Sequence, residues 1–246
     1  MSNKLYKLKR YQIQWDNIAD KYLSLVSEAR YSILHPVITD MVRDNGYKHI
    51  LDFGCGNAAL SMKIADQTKK IICVDSSRKM IKYARSKISN SRFRNNIKVY
   101  NCDQRKIKRL FKDYFDLCIV SLVLMTIPSK KEISSILNTL NHVLIKSGEL
   151  LIAVTHPAFL TKDFPSVKRE LPKDYKYGES GKRYKVTLKN GHGHEVSFFD
   201  YHWTIEDYGR LIRKNNFQIL EIKEIFENNN KNIGDAYLIF MCSVKR

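Results

Sequence analysis

Residues 48–61, Lys48-His-Ile-Leu-Asp-Phe-Gly-Cys-Gly-Asn-Ala-Ala-Leu-Ser61, restrict the fold of this chain more than any other stretch. His49 to Leu51 forms a short apolar run of the length of a buried strand. The chain then turns through Asp52, Gly54, Cys55 and Gly56 and enters a helix-compatible segment, Asn57 to Lys70. Glycines at such a strand-to-helix turn let the backbone approach a ligand, because no Cβ stands in the way. The first N–H groups of the following helix then face that ligand. Asp52 at the strand end is the discordant residue. A phosphate would be repelled by a carboxylate there, whereas a ligand carrying an ammonium or sulfonium would be attracted.

A second unit follows in the same style. Ile71-Ile-Cys-Val74 reads as a buried strand ending in Asp75, which stands 19 residues after Gly56. That is close to the ~20-residue spacing of the acid that takes a ribose diol in a dinucleotide-type βαβ unit. Ser76 is expected to cap a helix from about Ser77 to Ile88.

Taken in order, Asp52-Phe-Gly54-Cys-Gly56-Asn57, Asp75, Cys102-Asp103-Gln104 and Phe115-Asp116-Leu-Cys-Ile-Val-Ser121-Leu122 resemble the class I S-adenosylmethionine-dependent methyltransferases, in their small-molecule branch. The similarity covers roughly residues 11–160 and resumes at 203–245. Ala58 stands where the family has a third glycine, and it too is small. The resemblance implies an α/β fold with a doubly wound, mainly parallel sheet of seven strands in the order 3-2-1-4-5-7-6, strand 7 antiparallel. It also implies S-adenosyl-L-methionine as cofactor and S-adenosyl-L-homocysteine as product. The cofactor-binding residues carried over are Trp15, Tyr22, Asp52, Gly54, Cys55, Gly56, Asn57, Asp75, Ser76, Met80, Asp103, Gln104, Ser121 and Leu122. Trp15 and Tyr22 lie in an N-terminal helix, Tyr11 to Val26, and are expected at the sulfonium or methionyl end, a contact worth ~0.5–2 kcal/mol. Simple packing of that helix on the core is the alternative. For Asp103 the family role is the adenine amino group, and the plainer one is a cap on the helix Arg105–Phe111. The strand-end residues of this set fall where open parallel sheets bind ligands.

Along the chain, residues 1–10 are expected to be a loose arm, and Pro36 to Asp44 a second helix ending at Asn45-Gly46. Further strands are expected at Ile97–Tyr100, Tyr114–Leu122 and Glu149–Val154, with a helix from Ser129 to Ile145. Residues 157–183 show no period, which suggests a functional loop, here a lid. Two alternating runs, Tyr184–Lys189 and Glu195–Tyr201, flank an Asn190-Gly191 hairpin signal. Thr204 is expected to cap a helix, and Phe217–Phe226 and Ala236–Val244 to pair antiparallel across a six-residue link from Glu227. One methyltransferase domain results: a helical cap at 1–45, a core at 46–156 and 203–246, and the lid and hairpin at 157–202.

Composition narrows the function. The chain of 246 residues is 43% hydrophobic, enough for a core, and has no run of 18 apolar residues to span a membrane. The basic start MSNKLYKLKR lacks a following apolar region, so no secretory signal is expected. Five cysteines, Cys55, Cys73, Cys102, Cys118 and Cys242, read as reduced residues of a cytoplasmic protein. No metal is expected: His192-Gly-His194 has no further ligand nearby. Tyr83-Ala-Arg-Ser-Lys87 matches a short-chain dehydrogenase pattern but follows the wrong strand for hydride chemistry. The net charge is +18, and Arg78 to Lys112 holds thirteen Lys and Arg against Asp103 alone. That balance fits either solvated helix faces or a polyanionic partner.

Methyl transfer from a sulfonium is an in-line displacement, so the protein must align the acceptor and take its proton where needed. His156 before Pro157, and Tyr201 and His202 after Asp200, are the candidate catalytic residues, expected near the pocket mouth. Lys162 to Lys185 carries eight basic residues against four acids, which suggests a small anionic acceptor such as a phosphorylated or nucleotide-linked sugar or a natural-product intermediate, methylated on O or N. The alternative is an RNA (tRNA or rRNA) methyltransferase, although no RNA-binding module is visible. The protein is expected to act as a monomer or homodimer.

Overall fold

Short apolar runs build the strands of a sheet, buried on both faces at its centre and partly exposed at its edge. In the computed structural model these are β1 (His49–Phe53), β2 (Lys70–Asp75), β3 (Ile97–Asn101), β4 (Phe115–Ser121) and β5 (Leu144–Thr155). A second set, β6 (Val167–Glu170), β7 (Arg183–Lys189) and β8 (Glu195–Tyr201), forms a separate antiparallel sheet, and the chain ends in β9 (Phe217–Asn229) and β10 (Asn232–Val244). The structure describes residues 2–25, 30–162, 164, 166–190, 193–229 and 232–245, with side chains from Gln12 onward except those of 227–229 and 232–235. The large sheet has the order β3-β2-β1-β4-β5-β10-β9. β1 to β5 are parallel where paired, and β10 runs antiparallel to both β5 and β9. This is the doubly wound order expected from the sequence.

Successive side chains of a strand point to opposite faces, so alternate residues feed two separate cores. Leu51, Cys118, Val120 and Leu150 pack with α6 (Lys130–Val143) and α7 (Ile205–Lys214). Ile50, Leu117, Ile119 and Leu151 pack with α2 (His35–Asn45), α3 (Ala59–Ile64) and α4 (Arg78–Ser89). α5 (Gln104–Leu110) joins the first face through Ile107. α1 (Ser2–Ser24) lies against α4 and β8. Asp16 accepts hydrogen bonds from the Ser77 hydroxyl (2.6 Å) and the Lys79 amide (3.1 Å), and Gln14 exchanges two with the Phe199 backbone (3.1 and 3.3 Å). Among the described residues no helix is long and apolar enough to cross a membrane.

Several boundaries differ from expectation for local reasons. α1 begins at Ser2, not Tyr11, because residues 2–10 contain no Gly or Pro and are rich in Lys and Leu, which favour helix. The cap of α4 is Ser77, whose Oγ accepts from the Met80 amide (3.2 Å), rather than Ser76. α3 ends at Ile64, since Lys70 is already paired with His49. β5 starts at Leu144: Phe115 pairs with Leu144 and Leu117 with Glu149, so Lys146-Ser147-Gly148 forms a bulge. Residues 157–183 are not structureless, because β6 pairs antiparallel with β7. β9 and β10 reach Asn229 and Asn232, which pair, so most of the expected link is strand. Met1, Val26, Lys231, and the hairpin residues Gly191 and His192 lie outside the described residues.

Candidate active site

A cavity of about 270 Å³ opens at the carboxyl ends of β1, β2 and β4. All fourteen cofactor residues expected from the sequence line it: Trp15, Tyr22, Asp52, Gly54, Cys55, Gly56, Asn57, Asp75, Ser76, Met80, Asp103, Gln104, Ser121 and Leu122. Its shape follows from the turn after β1. Gly54 has φ +78° and a Cβ there would lie 2.3 Å from Val123 Cγ2, so both conformation and packing demand glycine. The amides of Gly54 and Cys55 both donate to the Val74 carbonyl (2.8 and 3.0 Å), which ties the turn to β2. Gly56, at φ +55°, has no atom within 4 Å of where its Cβ would stand. Ala58 is also left-handed, at φ 59°. The residue in the third glycine position therefore carries a conformational cost of about 1–2 kcal/mol, beyond any question of size. Leu122 has φ 57° as well, a rare state for a bulky residue and one that clusters at functional sites.

Two carboxylates dominate the electrostatics. Asp52 is 3% exposed and accepts a hydrogen bond from Ser61 Oγ (2.5 Å). Burial pushes its pKa up to about 6, the Ser61 bond opposes the rise, and the charge of Asp75 adds to it. Asp75 is held by two amides, Gly56 N to Oδ2 (2.9 Å) and Ser77 N to Oδ1 (2.8 Å), and burial raises its pKa against those bonds. Such a pair favours a ligand bearing positive charge and hydroxyl donors. Asp103 caps α5, accepting from the Lys106 amide (3.2 Å) and twice from Arg105 (2.7 and 2.9 Å), while also lining the cavity.

A smaller cavity of about 70 Å³ shares Trp15, Tyr22, Arg30, Leu122 and Thr126 with the larger one. The three-stranded sheet contributes Val167, Arg169, Val186, Leu188, Phe198 and Asp200 to its wall. Trp15, Tyr22 and Phe198 form an aromatic cluster with ring centroids 5.1–6.1 Å apart. Arg30 donates to the hydroxyls of Tyr22 (2.5 Å) and Tyr31 (3.0 Å). Arg30, His35 and Thr126 escape sequence reasoning, because they sit in stretches whose periodicity signals only packing. His35 is buried against Tyr31, and burial together with the charge of Arg30 lowers its pKa to about 3, so it stays neutral.

The histidines expected at the pocket mouth are held elsewhere, and His156, Tyr201 and His202 line neither cavity. His156 pairs with Glu224 (2.8 Å) and packs between Phe159 and Phe226. The His202 ring meets the Tyr177 carbonyl (2.7 Å) and lies beside Tyr175 and Tyr177, and Tyr201 packs against the main core. Tyr83 donates to Asp20 (2.6 Å) and docks α1, away from the cavity.

The chain is 25% identical over 222 residues to YqeM of Bacillus subtilis (strain 168), provisionally named as a methyltransferase, covering 89% of this chain and 85% of that protein. Its fold matches PH0226 of Pyrococcus horikoshii OT3 with a TM-score of 0.65 at 18% identity, covering 88% of this chain and 90% of that one. It also matches the 1,6-didemethyltoxoflavin-N1-methyltransferase of Burkholderia thailandensis, solved with its substrate and S-adenosylhomocysteine, with a TM-score of 0.64 at 13% identity over 99% of this chain and 89% of that one. The family model described as a methyltransferase domain matches residues 44–229, about three quarters of the chain, which therefore belongs to the S-adenosylmethionine-dependent methyltransferases of class I.

Proposed function

We propose that the larger cavity holds S-adenosylmethionine and that the smaller one receives a small, anionic acceptor, methylated on N or O. The residues present fit that cofactor: Asp75 offers two fixed oxygens to a ribose diol, Asp52 a buried charge to a cation, and Gly56 open space. When bound, the cofactor supplies an electrophilic methyl group on a sulfonium. The protein's part is to align the acceptor, exclude water and provide for its proton. Trp15 and Tyr22, which line both cavities, are the aromatic faces suited to the cationic centre.

The observation that carries this reading is the wall shared by an acid-and-glycine cavity and a second cavity enclosed by a three-stranded sheet. The charge favouring an anion is the pair Arg30 and Arg169 against Asp200 within that small cavity. The lid lysines contribute less, since Lys182 pairs with Asp174 and Glu179, and Lys185 with Glu170, on the surface. The Burkholderia thailandensis enzyme, of the same fold, acts on a small molecule. An RNA acceptor is less well supported, because among the described residues Arg30 and Arg169 are the two cations in the wall of the small cavity, which is otherwise largely apolar and aromatic and offers no basic track for a phosphate backbone. Several cations of the Arg78–Lys112 stretch are also engaged, Lys79 with Asp20, Arg92 with Asp66 and Arg105 with Asp103. The five cysteines are free thiols, which supports a reducing, cytoplasmic setting. The test is transfer of labelled methyl to panels of anionic and neutral small molecules and to RNA at graded salt. Labelling of anionic small molecules is expected; labelling of RNA alone, or of neutral compounds alone, contradicts the proposal.

A further inference from the structure

Asp200 and Arg30, in the wall of the small cavity, each carry a buried polar atom that the fold leaves without a hydrogen bond, Oδ1 and Nε. Asp200, on β8 opposite Tyr184 of β7, is 3% exposed. Arg30 spends its terminal nitrogens on the phenols of Tyr22 and Tyr31. The surrounding wall is aromatic and aliphatic: Trp15, Phe198, Val167, Val186 and Leu188. A buried oxygen and a buried N–H without partners are each costly, and their meeting in one cavity calls for a ligand that pairs both. That ligand must donate at one end and accept at the other. It must also be short, because about 70 Å³ is roughly half of the ~150 Å³ cavity that holds a benzene molecule.

We infer that this cavity takes a small amino or hydroxy acid, whose N–H or O–H donates to Asp200 and whose carboxylate accepts from Arg30. The assignment deepens the methyl-transfer proposal above and rests on it. Arg169 supplies a second positive charge, so the bound carboxylate and Asp200 are balanced by two guanidinium groups. Asp200 is then the proton acceptor. The proton leaves the ligand's nitrogen or oxygen, whose electron pair stays behind as the nucleophile, and the Asp200 carboxylate becomes a carboxylic acid until it releases the proton to water. The groups that face Asp200 are Arg169 from β6, Tyr184 from β7 and Tyr208 from α7. Burial raises the Asp200 pKa to about 7 although Arg169 opposes the rise, which suits a base working near neutral pH.

The experiment is calorimetric titration of the S-adenosylhomocysteine-saturated protein at pH 8 with glycine, glycolate, acetate and methylamine. Glycine or glycolate is expected to bind at least tenfold tighter than acetate, which lacks the donor, and methylamine, which lacks the carboxylate. In Asp200→Asn, which keeps the side-chain shape and touches only the small cavity, that advantage over acetate is expected to shrink below threefold with S-adenosylhomocysteine affinity retained. Equal affinities for the four probes, or binding of none, overturns the assignment, and the wild-type panel decides it even if the variant fails to fold. Labelling of a larger or neutral small molecule with no binding of these probes sinks this assignment and leaves methyl transfer to small molecules standing. Labelling of RNA alone sinks both.

Discussion

Replacing Asp52 with asparagine removes a buried negative charge while keeping the shape of the side chain and its acceptor for Ser61. Asp52 has a folded-state pKa of about 6 against an ordinary 3.8. Because the folded value is the higher one, the folded protein holds this proton more tightly than the unfolded chain. The stabilising effect is therefore complete below pH 4 and is lost as pH rises through 6. The difference corresponds to about 3 kcal/mol of penalty on the ionised folded state. The asparagine amide is less well accommodated beside Asp75 than a carboxyl group would be, so a net gain of about 1–3 kcal/mol is expected at pH 8. For a chain of this size that is a rise in Tm of about 3–10 °C. The assay is thermal or urea unfolding of both proteins, free of cofactor, at pH 4.5 and pH 8. The variant should be the more stable at pH 8, the two should converge at pH 4.5, and cofactor affinity should fall at least tenfold in the variant. A variant no more stable than the wild type at pH 8 would refute the view that burial, borne for the sake of a cationic ligand, governs Asp52.

Gly54→Ala combines a left-handed backbone with a Cβ pressed against Val123, and should lower stability by about 2–5 kcal/mol in urea unfolding. His156→Ala should cost about 1–3 kcal/mol of stability through the lost Glu224 bond and aromatic packing, with cofactor Kd unchanged in calorimetry. Trp15→Ala, which opens the wall shared by both cavities, should weaken cofactor binding by about tenfold, read by the same titration.

Legibility followed sequence distance. The acid-and-glycine turn and the second acid lie within one crossover, so their spacing alone put Asp52, Gly54, Gly56 and Asp75 around one cavity. The apolar runs revealed the strands, since burial on both faces leaves no alternation to misread. The small cavity was hidden because it gathers Arg30, Thr126, Arg169 and Asp200 from four distant segments, none with a motif. Strand parity decides which of the expected catalytic residues reach a cavity. Thr155 lines the small cavity, so His156, next along the chain, turns the other way toward Glu224 and Phe226 on β9. On β8, Asp200 faces the cavity and Tyr201 the opposite side, while His202 has already left the strand for Tyr177. Of the cluster Asp200-Tyr201-His202 singled out in the sequence, Asp200 lines the small cavity and the other two line neither.

The most direct measurement is isothermal titration of the purified protein with S-adenosylmethionine and S-adenosylhomocysteine, beside Asp75→Ala and Gly56→Val. Binding of both ligands to the wild type is expected, with at least a thirtyfold loss in each variant. Gly56→Val is strained by its left-handed backbone and Asp75→Ala unpairs the amides of Gly56 and Ser77, so circular dichroism is recorded beside each titration to show the variant folded. Absence of binding heat in the wild type, or undiminished affinity in the two variants, would contradict the claim that this turn and this acid grip the adenosyl cofactor.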